Sequence, residues 1–208
     1  MPRDATVTRQ RILTAAEDLF YGEGIRATGV DRIAARAGVT KRTLYQHFAS
    51  KDDLITAYVE GTERPALGRY QALVADVAAA PDRIGRIFAN LGRVAADPRW
   101  KGCSFARVAA ELAGSPGHPA LQAASRHKQA FEAWIAEMLA ETVHRPAEIA
   151  RQVMILLDGA ITEILIHRDA GYAAVAGRAA ATLIAGDSVG RSSSTSRFGS
   201  AEAPISRP

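Results

Sequence analysis

The sequence predicts an all-α protein with a small N-terminal domain and a larger C-terminal domain. Alanine is abundant, aromatic residues make up 6% of the 208 residues, and no segment alternates apolar and polar residues as a half-buried β-strand would. Apolar residues instead recur three and four positions apart, in segments separated by prolines and glycines. A chain of this length can bury a real core, as one large domain or two small ones.

The first predicted helix covers about residues 6–22. Its apolar residues form one buried stripe at helical spacing, made of Ile12, Ala15, Ala16, Leu19 and Phe20. We expect a small core to be closed by Phe20, Leu44, Tyr45 and Phe48. Because such a core is marginal alone, it should pack against a fourth helix that begins near Lys51.

Two short helices joined by a tight turn at Gly38 are predicted next. Thr28 and Asp31 have the spacing of a capping box at the start of the first, and Thr40 is the predicted N-cap of the second. The two helices share one apolar face, made of Ile33, Ala34, Ala37, Val39, Leu44 and Phe48. This pattern is typical of a helix-turn-helix, whose second helix enters the DNA major groove.

Positive charge is concentrated in the same segment. Six basic residues and one acidic residue between Arg26 and Lys51 give this stretch a net charge of +5, whereas the whole chain carries +4. A basic stripe on a helix-turn-helix is the pattern expected for phosphate binding. A solvated basic face on an ordinary helical hairpin is the alternative that charge alone leaves open.

The N-terminal segment, about residues 8–56, resembles the DNA-binding domain of the TetR family of transcriptional regulators. The matching residues are Ile12-Leu-x-Ala-Ala-x-x-Leu-Phe20, Gly24-Ile, Thr28, Val30-x-x-Ile-Ala-x-x-Ala-Gly-Val-Thr40, Thr43-Leu-Tyr-x-His-Phe48 and Ser50-Lys-x-x-Leu54. Two positions depart from the family pattern. Gly29 stands where a second Thr or Ser is common, and Arg42 stands where a small residue is frequent.

The predicted recognition helix, about residues 40–48, carries the expected base contacts. With Leu44 and Phe48 facing inward, the outward side chains are Lys41, Arg42, Thr43 and Gln46. Arginine pairs with guanine and glutamine with adenine, each worth about 1–3 kcal/mol of discrimination.

The resemblance adds phosphate contacts on both sides of this helix. It implies such a role for Thr28, Tyr45, His47 and Lys51, and the free N–H groups of a helix N-terminus suit a phosphate. Tyr45 could alternatively be a core ring with its hydroxyl at the surface, and His47 a plain surface residue. The predicted DNA-binding set is Thr28, Thr40, Lys41, Arg42, Thr43, Tyr45, Gln46, His47 and Lys51.

Pro65 is predicted to end the fourth helix at about residue 62, which sets a domain boundary. We therefore divide the chain into a helix-turn-helix domain (1–62), an effector-binding and dimerisation domain (63–186) and a disordered tail (187–208). In the tail, 12 of the 23 residues from Gly186 onward are Ser, Gly or Pro. Helices of the second domain are predicted near 66–79, 82–96, 104–112, 120–142, 147–169 and 172–184.

The two long helices, 120–142 and 147–169, carry the highest density of apolar residues. The second is apolar over a wider arc than one partner helix needs. The resemblance implies that they pair with the same helices of a second copy as a four-helix dimer interface. The alternative is that both are core helices of a monomer, which would read only one half-site.

The resemblance also implies an apolar cavity for a small-molecule effector among the middle helices. The predicted lining residues are Phe88, Leu91, Trp100, Cys103, Phe105, Trp134, Met138 and Met154, with Asp158 or His127 as polar anchors. Each could instead be an ordinary core residue. Cys103 could sense an electrophile or oxidant there, or be a small buried apolar residue.

An enzyme is not expected. Cys103 could pair with His118, His127 or His144, but no local signature supplies a positioned base. No metal-ligand cluster or nucleotide-binding loop is present in the sequence, so we expect no catalytic residue, metal or cofactor. A single cysteine and the lack of a signal peptide or long apolar run predict a soluble cytoplasmic protein without a membrane segment.

Together these features predict a sequence-specific DNA-binding regulator. We expect a homodimeric repressor that binds a palindromic operator on double-stranded DNA and is released by a small molecule. A non-specific architectural DNA-binding protein and an activator with the same fold are the alternatives.

Overall fold

The computed structural model describes residues 2–189. Over this range the chain forms nine α-helices and no strand, apart from an isolated bridge between Val143 and Ser188. The helices are α1 (Pro2–Glu23), α2 (Val30–Ala37), α3 (Lys41–His47), α4 (Lys51–Val74), α5 (Ala80–Ala95), α6 (Ser104–Glu111), α7 (Pro119–Leu139), α8 (Pro146–His167) and α9 (Gly171–Gly186). The predicted fold class, an all-α chain with an N-terminal helix-turn-helix and a helical C-terminal domain, is confirmed.

The helices α1 to α3 pack against the first half of α4. The predicted stripe of α1 and the shared face of α2 and α3 are buried, with Val39 half-buried. Tyr45 is the exception within the predicted core, because its side chain is 42% exposed. It lies on the outer side of α3, so the core is closed by Phe20, Leu44 and Phe48 without it.

The predicted end of the fourth helix at Pro65 is wrong, because α4 continues through this proline to Val74. A proline inside a helix removes the hydrogen bond to the carbonyl four residues earlier, here that of Gly61. The helix packs on α1 near its start and on α7 further along, and this tertiary packing outweighs the lost bond. The segment 66–79 is consequently the second half of α4 and its exit, not a separate helix.

The buried residues fall into two clusters, and their border does not follow the predicted domain boundary. The first cluster holds the cores of α1 to α4 together with Phe105 of α6 and Ala120 of α7. The second fills the space between α5, α8, α9 and the later part of α7. Because α6 and the start of α7 are packed with the N-terminal helices, the two parts of the molecule share one interface along these elements.

The end of the described chain is held against the loop between α7 and α8. The carboxylate of Asp187 accepts hydrogen bonds from the Arg145 backbone N–H at 2.8 Å and from its Nε at 3.0 Å. The Val189 N–H donates to the carbonyl of Thr142 at 3.0 Å. Residues 187–189 are therefore part of the fold, contrary to the predicted start of the tail, and the rest of the predicted tail lies outside the described residues.

Candidate DNA-binding surface and internal cavity

The recognition helix α3 is positioned by local hydrogen bonds and a glycine turn. Gly38 ends α2 in the left-handed conformation, with a φ of 64° that suits glycine. Two residues later the Thr40 hydroxyl accepts from the N–H of Thr43 at 3.0 Å, as a helix N-cap. The fully buried Leu44 then fixes which face of α3 turns inward.

Arg11 supports the turn and was not among the sequence candidates. Its Nη2 donates to the carbonyl of Ala37 at 2.7 Å and to that of Gly38 at 3.3 Å, at the C-terminus of α2. A cation suits this end of a helix, where carbonyl groups lack partners. Arg9, two residues earlier, lies over the ring of Phe48 at 4.8 Å. Neither contact has a sequence signal, because both depend on how α1 crosses the other helices.

The outer face of α3 presents the residues that the sequence assigns to the groove. Lys41, Arg42, Tyr45 and Gln46 are exposed, whereas Thr43 and His47 are half-buried. The spacing of the four exposed residues covers one side of two helical turns. The surface is therefore suited to base and phosphate contacts, with Tyr45 available at the flank.

The prediction for the Thr28 side chain is wrong. Thr28 is fully buried, and its hydroxyl donates to the carbonyl of Gly24 at 2.7 Å. The N-cap of α2 is Gly29, with no side-chain cap bond, so the expected capping box with Asp31 is absent. The hydroxyl instead ties down the turn after α1, and it has no surface to offer a phosphate.

Most basic residues of this segment already have partners. Four of them contact an acidic residue, through its carboxylate or its backbone. These contacts are Arg26 with Glu111, Arg32 with Glu23, Arg36 with Asp18 and Lys41 with Asp31. Lys51, half-buried, donates to the carbonyl of Ile25 at 2.6 Å. The net charge of the segment therefore overstates the free positive charge.

The exposed pairs remain exchangeable. The hydrogen bond and charge of Asp31 raise the pKa of Lys41, 3.0 Å away. Exposed ion pairs contribute only about 0–1 kcal/mol, so a DNA phosphate can replace the carboxylate. Arg42 forms no ion pair with any side chain that the structure describes, and it is the basic group of α3 most directly available to DNA.

Hydrogen bonds join α6 to the N-terminal helices. The side chain of Glu111, at the end of α6, accepts from the Arg26 backbone N–H at 2.8 Å, and its carbonyl accepts from Arg26 Nε at 2.8 Å. Before α6, the Lys101 N–H donates to the Tyr21 hydroxyl at 2.9 Å. Arg107 donates to the Tyr21 carbonyl and lies over its ring. Both ends of α6 are thus attached to the segment that enters the helix-turn-helix.

A cavity of about 170 Å³ lies between α4, α5, α6, α7 and α8. Seven of the ten predicted lining residues are brought together there, and these are Leu91, Trp100, Cys103, Phe105, His127, Met154 and Asp158. Phe88 is not among them, because it is buried between α5 and α9, where Gly177 approaches it closely. Trp134 and Met138 line a separate outer depression near the end of α4.

The cavity wall is aromatic, with an ion pair at one side. The rings of Phe105 and His127 stack at a centroid distance of 3.7 Å, and Tyr70 meets Phe131 edge-on at 4.9 Å. Burial, and next the nearby Cys103 thiol, raise the pKa of Tyr70. Sequence reasoning missed Arg69, Tyr70 and Lys128, which also line the cavity.

Lys128 forms an ion pair with Asp158. Cys103 is at the N-cap of α6 and makes no side-chain cap bond there. Of the three histidines considered beside Cys103, His127 shares its cavity. His118 instead caps α7, and its Nε2 lies 3.4 Å from the carboxylate of Asp52 on α4.

The exposed apolar residues of the C-terminal domain lie on α8 and α9. Ile155 and Ile166 of α8 are 66% and 65% exposed, and Val175 of α9 is also exposed. The apolar residues of α7 are largely covered by α4, α6 and α8 of the same chain. The excess apolar surface predicted for the second long helix is present on α8, and Val175 of α9 adds to it. The pairing of the two long helices with a second copy stays a prediction.

These features define the class of the protein, an all-helical DNA-binding regulator with a helix-turn-helix and a second, cavity-bearing domain. A family model described as bacterial regulatory proteins of the tetR family matches residues 12–58. A TetR-family transcriptional regulator from Streptomyces coelicolor is 30% identical, with a TM-score of 0.70 over 86% of this chain and 93% of that one. The chain belongs to the TetR family of transcriptional regulators.

Two further relatives agree with this assignment. A structure described as a putative TetR transcriptional regulator from Streptomyces avermitilis is 28% identical, with a TM-score of 0.78 over 86% of this chain and 97% of that one. The transcriptional activator FasR from Mycolicibacterium smegmatis is 47% identical over 60 residues, which are 29% of this chain and 26% of FasR.

The likeness to curated proteins is confined to part of their length. The chain spans 26% to 46% of the first three curated relatives, all of which are named as transcriptional regulators rather than as enzymes. Among the described residues, no helix is both long and apolar enough to cross a membrane.

Proposed function

We propose that the protein is a homodimeric repressor that binds a palindromic operator and is released from it by a small molecule bound in the cavity. The observation that carries this proposal is the position of α6. Phe105, near its start, forms part of the cavity wall, and Glu111, at its end, holds Arg26 at the entry to the helix-turn-helix.

This helix couples the two sites mechanically. Its eight residues span about 12 Å, so a shift of Phe105 caused by a ligand would be passed to Glu111 with little loss. Arg26 would then move the start of α2 and, through the turn at Gly38, the recognition helix. The ligand can shift the equilibrium only by the difference between its affinities for the two conformations.

Dimerisation would use the exposed faces of α8 and α9. Ile155, Ile166 and Val175 would be covered by the same helices of a second copy, as a four-helix interface with twofold symmetry. Two recognition helices related by this symmetry would read half-sites about one helical turn apart or somewhat more.

On the DNA, we assign base contacts to Arg42 and Gln46 and phosphate contacts to Lys41 and Tyr45. His47, Thr40, Thr43 and Lys51 surround them, and Lys51 would first have to leave the Ile25 carbonyl. Such a regulator would act on chromosomal DNA in the cytoplasm.

The test begins with selection of bound duplexes from a random pool by the full-length protein. Enrichment of a palindrome, with specific binding at least about a thousandfold tighter than binding to unrelated DNA, would support the proposal. Equal binding to all duplexes with steep salt dependence would instead identify a non-specific architectural protein.

Arg42→Ala should weaken operator binding by about thirtyfold or more while leaving the dimer intact, since one bidentate base contact is lost in each half-site. Arg93→Ala is the matched control, because Arg93 is exposed on α5 and bonds Asn90 far from α3. Equal effects of the two variants would contradict the assigned surface.

Activation is the second candidate, favoured by the activator name of FasR, which is similar to this chain over 60 residues. A reporter gene under the selected operator separates the two. Deletion of the regulator should raise expression from a repressed promoter and lower it from an activated one.

A further inference from the structure

We propose that the cavity binds a small aromatic carboxylate, with one ring against the Phe105–His127 stack and the acid group at the mouth beside Arg69. This inference rests on the proposed function of the cavity as the effector site. It adds the chemical class of the ligand, which follows from the size, wall and charge of the cavity.

The size of the cavity fits one aromatic ring. Its volume is about 170 Å³, and an engineered apolar cavity of about 150 Å³ in another protein holds benzene. The larger space here leaves room for one small substituent on the ring.

The wall favours a flat ring. Phe105 and His127 are stacked with an interplanar angle of 14°, and the rings of Phe131 and Trp100 also border the cavity. Offset-stacked and edge-to-face contacts between aromatic rings add about 0.5–1.5 kcal/mol beyond the burial of their area. A linear aliphatic chain would gain none of these contacts.

The charge of the lining favours an anion. Lys128 and Asp158 neutralise each other in their ion pair, whereas Arg69 has no ion pair among the described side chains and lines the same cavity. A guanidinium matches the two oxygens of a carboxylate in geometry as well as charge.

A second feature points the same way. The first turn of α6 borders the cavity, and its N-cap Cys103 offers no side-chain hydrogen bond to the free backbone N–H groups. The positive end of a helix favours a negative group nearby. A cationic ligand would instead have to compete with Lys128 for Asp158, the one acidic side chain in the described lining.

The chain contains its own reporter for the test. It has two tryptophans, and of these Trp100 borders the cavity while Trp134 lines the outer depression. In the full-length Trp134→Phe protein, fluorescence therefore reports on Trp100 alone. We would titrate this protein with benzoate, with neutral benzamide and with the benzylammonium cation.

We expect saturable quenching, with benzoate binding about tenfold more tightly than benzamide and benzylammonium binding weakest. Arg69→Gln should reduce benzoate affinity about tenfold and change benzamide affinity less than twofold. Arg93→Gln is the matched control and should change neither. Tighter binding of benzamide or benzylammonium, an unchanged benzoate affinity in Arg69→Gln, or no saturable binding would each overturn the inference.

The selected operator separates this inference from the proposed function. Benzoate that binds at Trp100 without weakening the DNA complex would support the ligand class and contradict release by a ligand. Normal, specific operator binding by a protein whose Trp100 does not respond to benzoate would contradict the ligand class alone.

Discussion

The two buried clusters of this molecule differ in how they are built. The N-terminal cluster contains two short helices, α2 and α3, whose limits are set locally, by Gly38 and by the cap on Thr40. The C-terminal cluster has no helix shorter than 16 residues, and in it α5 packs on α9, which is distant in sequence. Phe105 belongs to the first cluster and Leu91, Phe131 and Met154 to the second, and all four border the cavity. The cavity therefore lies at the interface between the two clusters, where a bound ligand can change how the clusters pack against each other.

The largest expected effect tests whether the clusters are separate. Leu44→Ala and Leu139→Ala each remove a fully buried leucine, one from each cluster, and each should cost about 2–5 kcal/mol of the free energy of unfolding. Leu44→Ala should abolish DNA binding while the proposed dimer persists, whereas Leu139→Ala should also weaken that dimer. Urea unfolding, sedimentation and DNA binding check this. Loss of the dimer in Leu44→Ala would mean that the molecule has a single cooperative core.

The next effect concerns the connection between the clusters. Glu111→Gln keeps the shape of the side chain but weakens its charge-assisted bond to the Arg26 N–H. We expect amide hydrogen exchange in 104–111 to become about tenfold faster, with little change in α9. Glu137→Gln, on the exposed side of α7, is the control. An unchanged exchange rate in α6 would show that Glu111 does not hold this helix.

A smaller effect should depend on pH and involve the C-terminal cluster. Burial alone would raise the pKa of Asp187, but hydrogen bonds from the Arg145 N–H and guanidinium outweigh it and hold this pKa below its usual value. The carboxylate therefore stabilises the fold above the unfolded pKa of about 3.9, and this contribution disappears as the pH falls through the folded value.

Asp187→Asn should lower the melting temperature at pH 7 and make no difference at about pH 2. Thermal unfolding followed by circular dichroism measures this. Glu141→Gln, an exposed variant in the adjacent loop, should behave like the native protein throughout. If Asp187→Asn still has a lower melting temperature than the native protein at about pH 2, the lost charge of Asp187 is not the cause.

The smallest expected effect is an increase in operator affinity. Asp31 competes with DNA for Lys41, so Asp31→Asn should increase operator affinity about two- to fivefold at low salt and less at high salt. Fluorescence anisotropy with labelled operator measures this. An equal gain at all salt concentrations would point to a change in the fold of α2 instead.

The sequence predicts most of the N-terminal region because its signals are local. Gly38, Thr40 and Leu44 specify turn, cap and inward face within seven residues. The predicted cap at Thr28 is wrong because its hydroxyl donates to the Gly24 carbonyl instead. The spacing of a capping box does not exclude such a local hydrogen bond. The pairing of Asp18 with Arg36 depends on the packing of α1 on α2, which residue spacing along the chain does not give.

In the C-terminal region, helix existence is predictable and orientation is not. Apolar residues such as Leu91 and Met154 could be expected near a cavity, because inner helix faces must be apolar. Arg69 and Lys128 could not be expected there, since the direction of their side chains depends on how α4 and α7 cross. Pro65 shows the same limit, because packing on both sides holds a helix that local preference would end.

Because α4 is continuous from Lys51 to Val74, a small bend in its middle would displace its N-terminal end. About 21 Å of helix separate Pro65 from Lys51, where the N-terminal helices are attached. A bend of only about 5° at the proline would swing that end by about 2 Å, a large fraction of a hydrogen-bond length of about 3 Å. In the proposed dimer, the twofold rotation would make the two α4 helices swing in opposite directions across the axis, so the separation between the recognition helices would change by up to twice that distance.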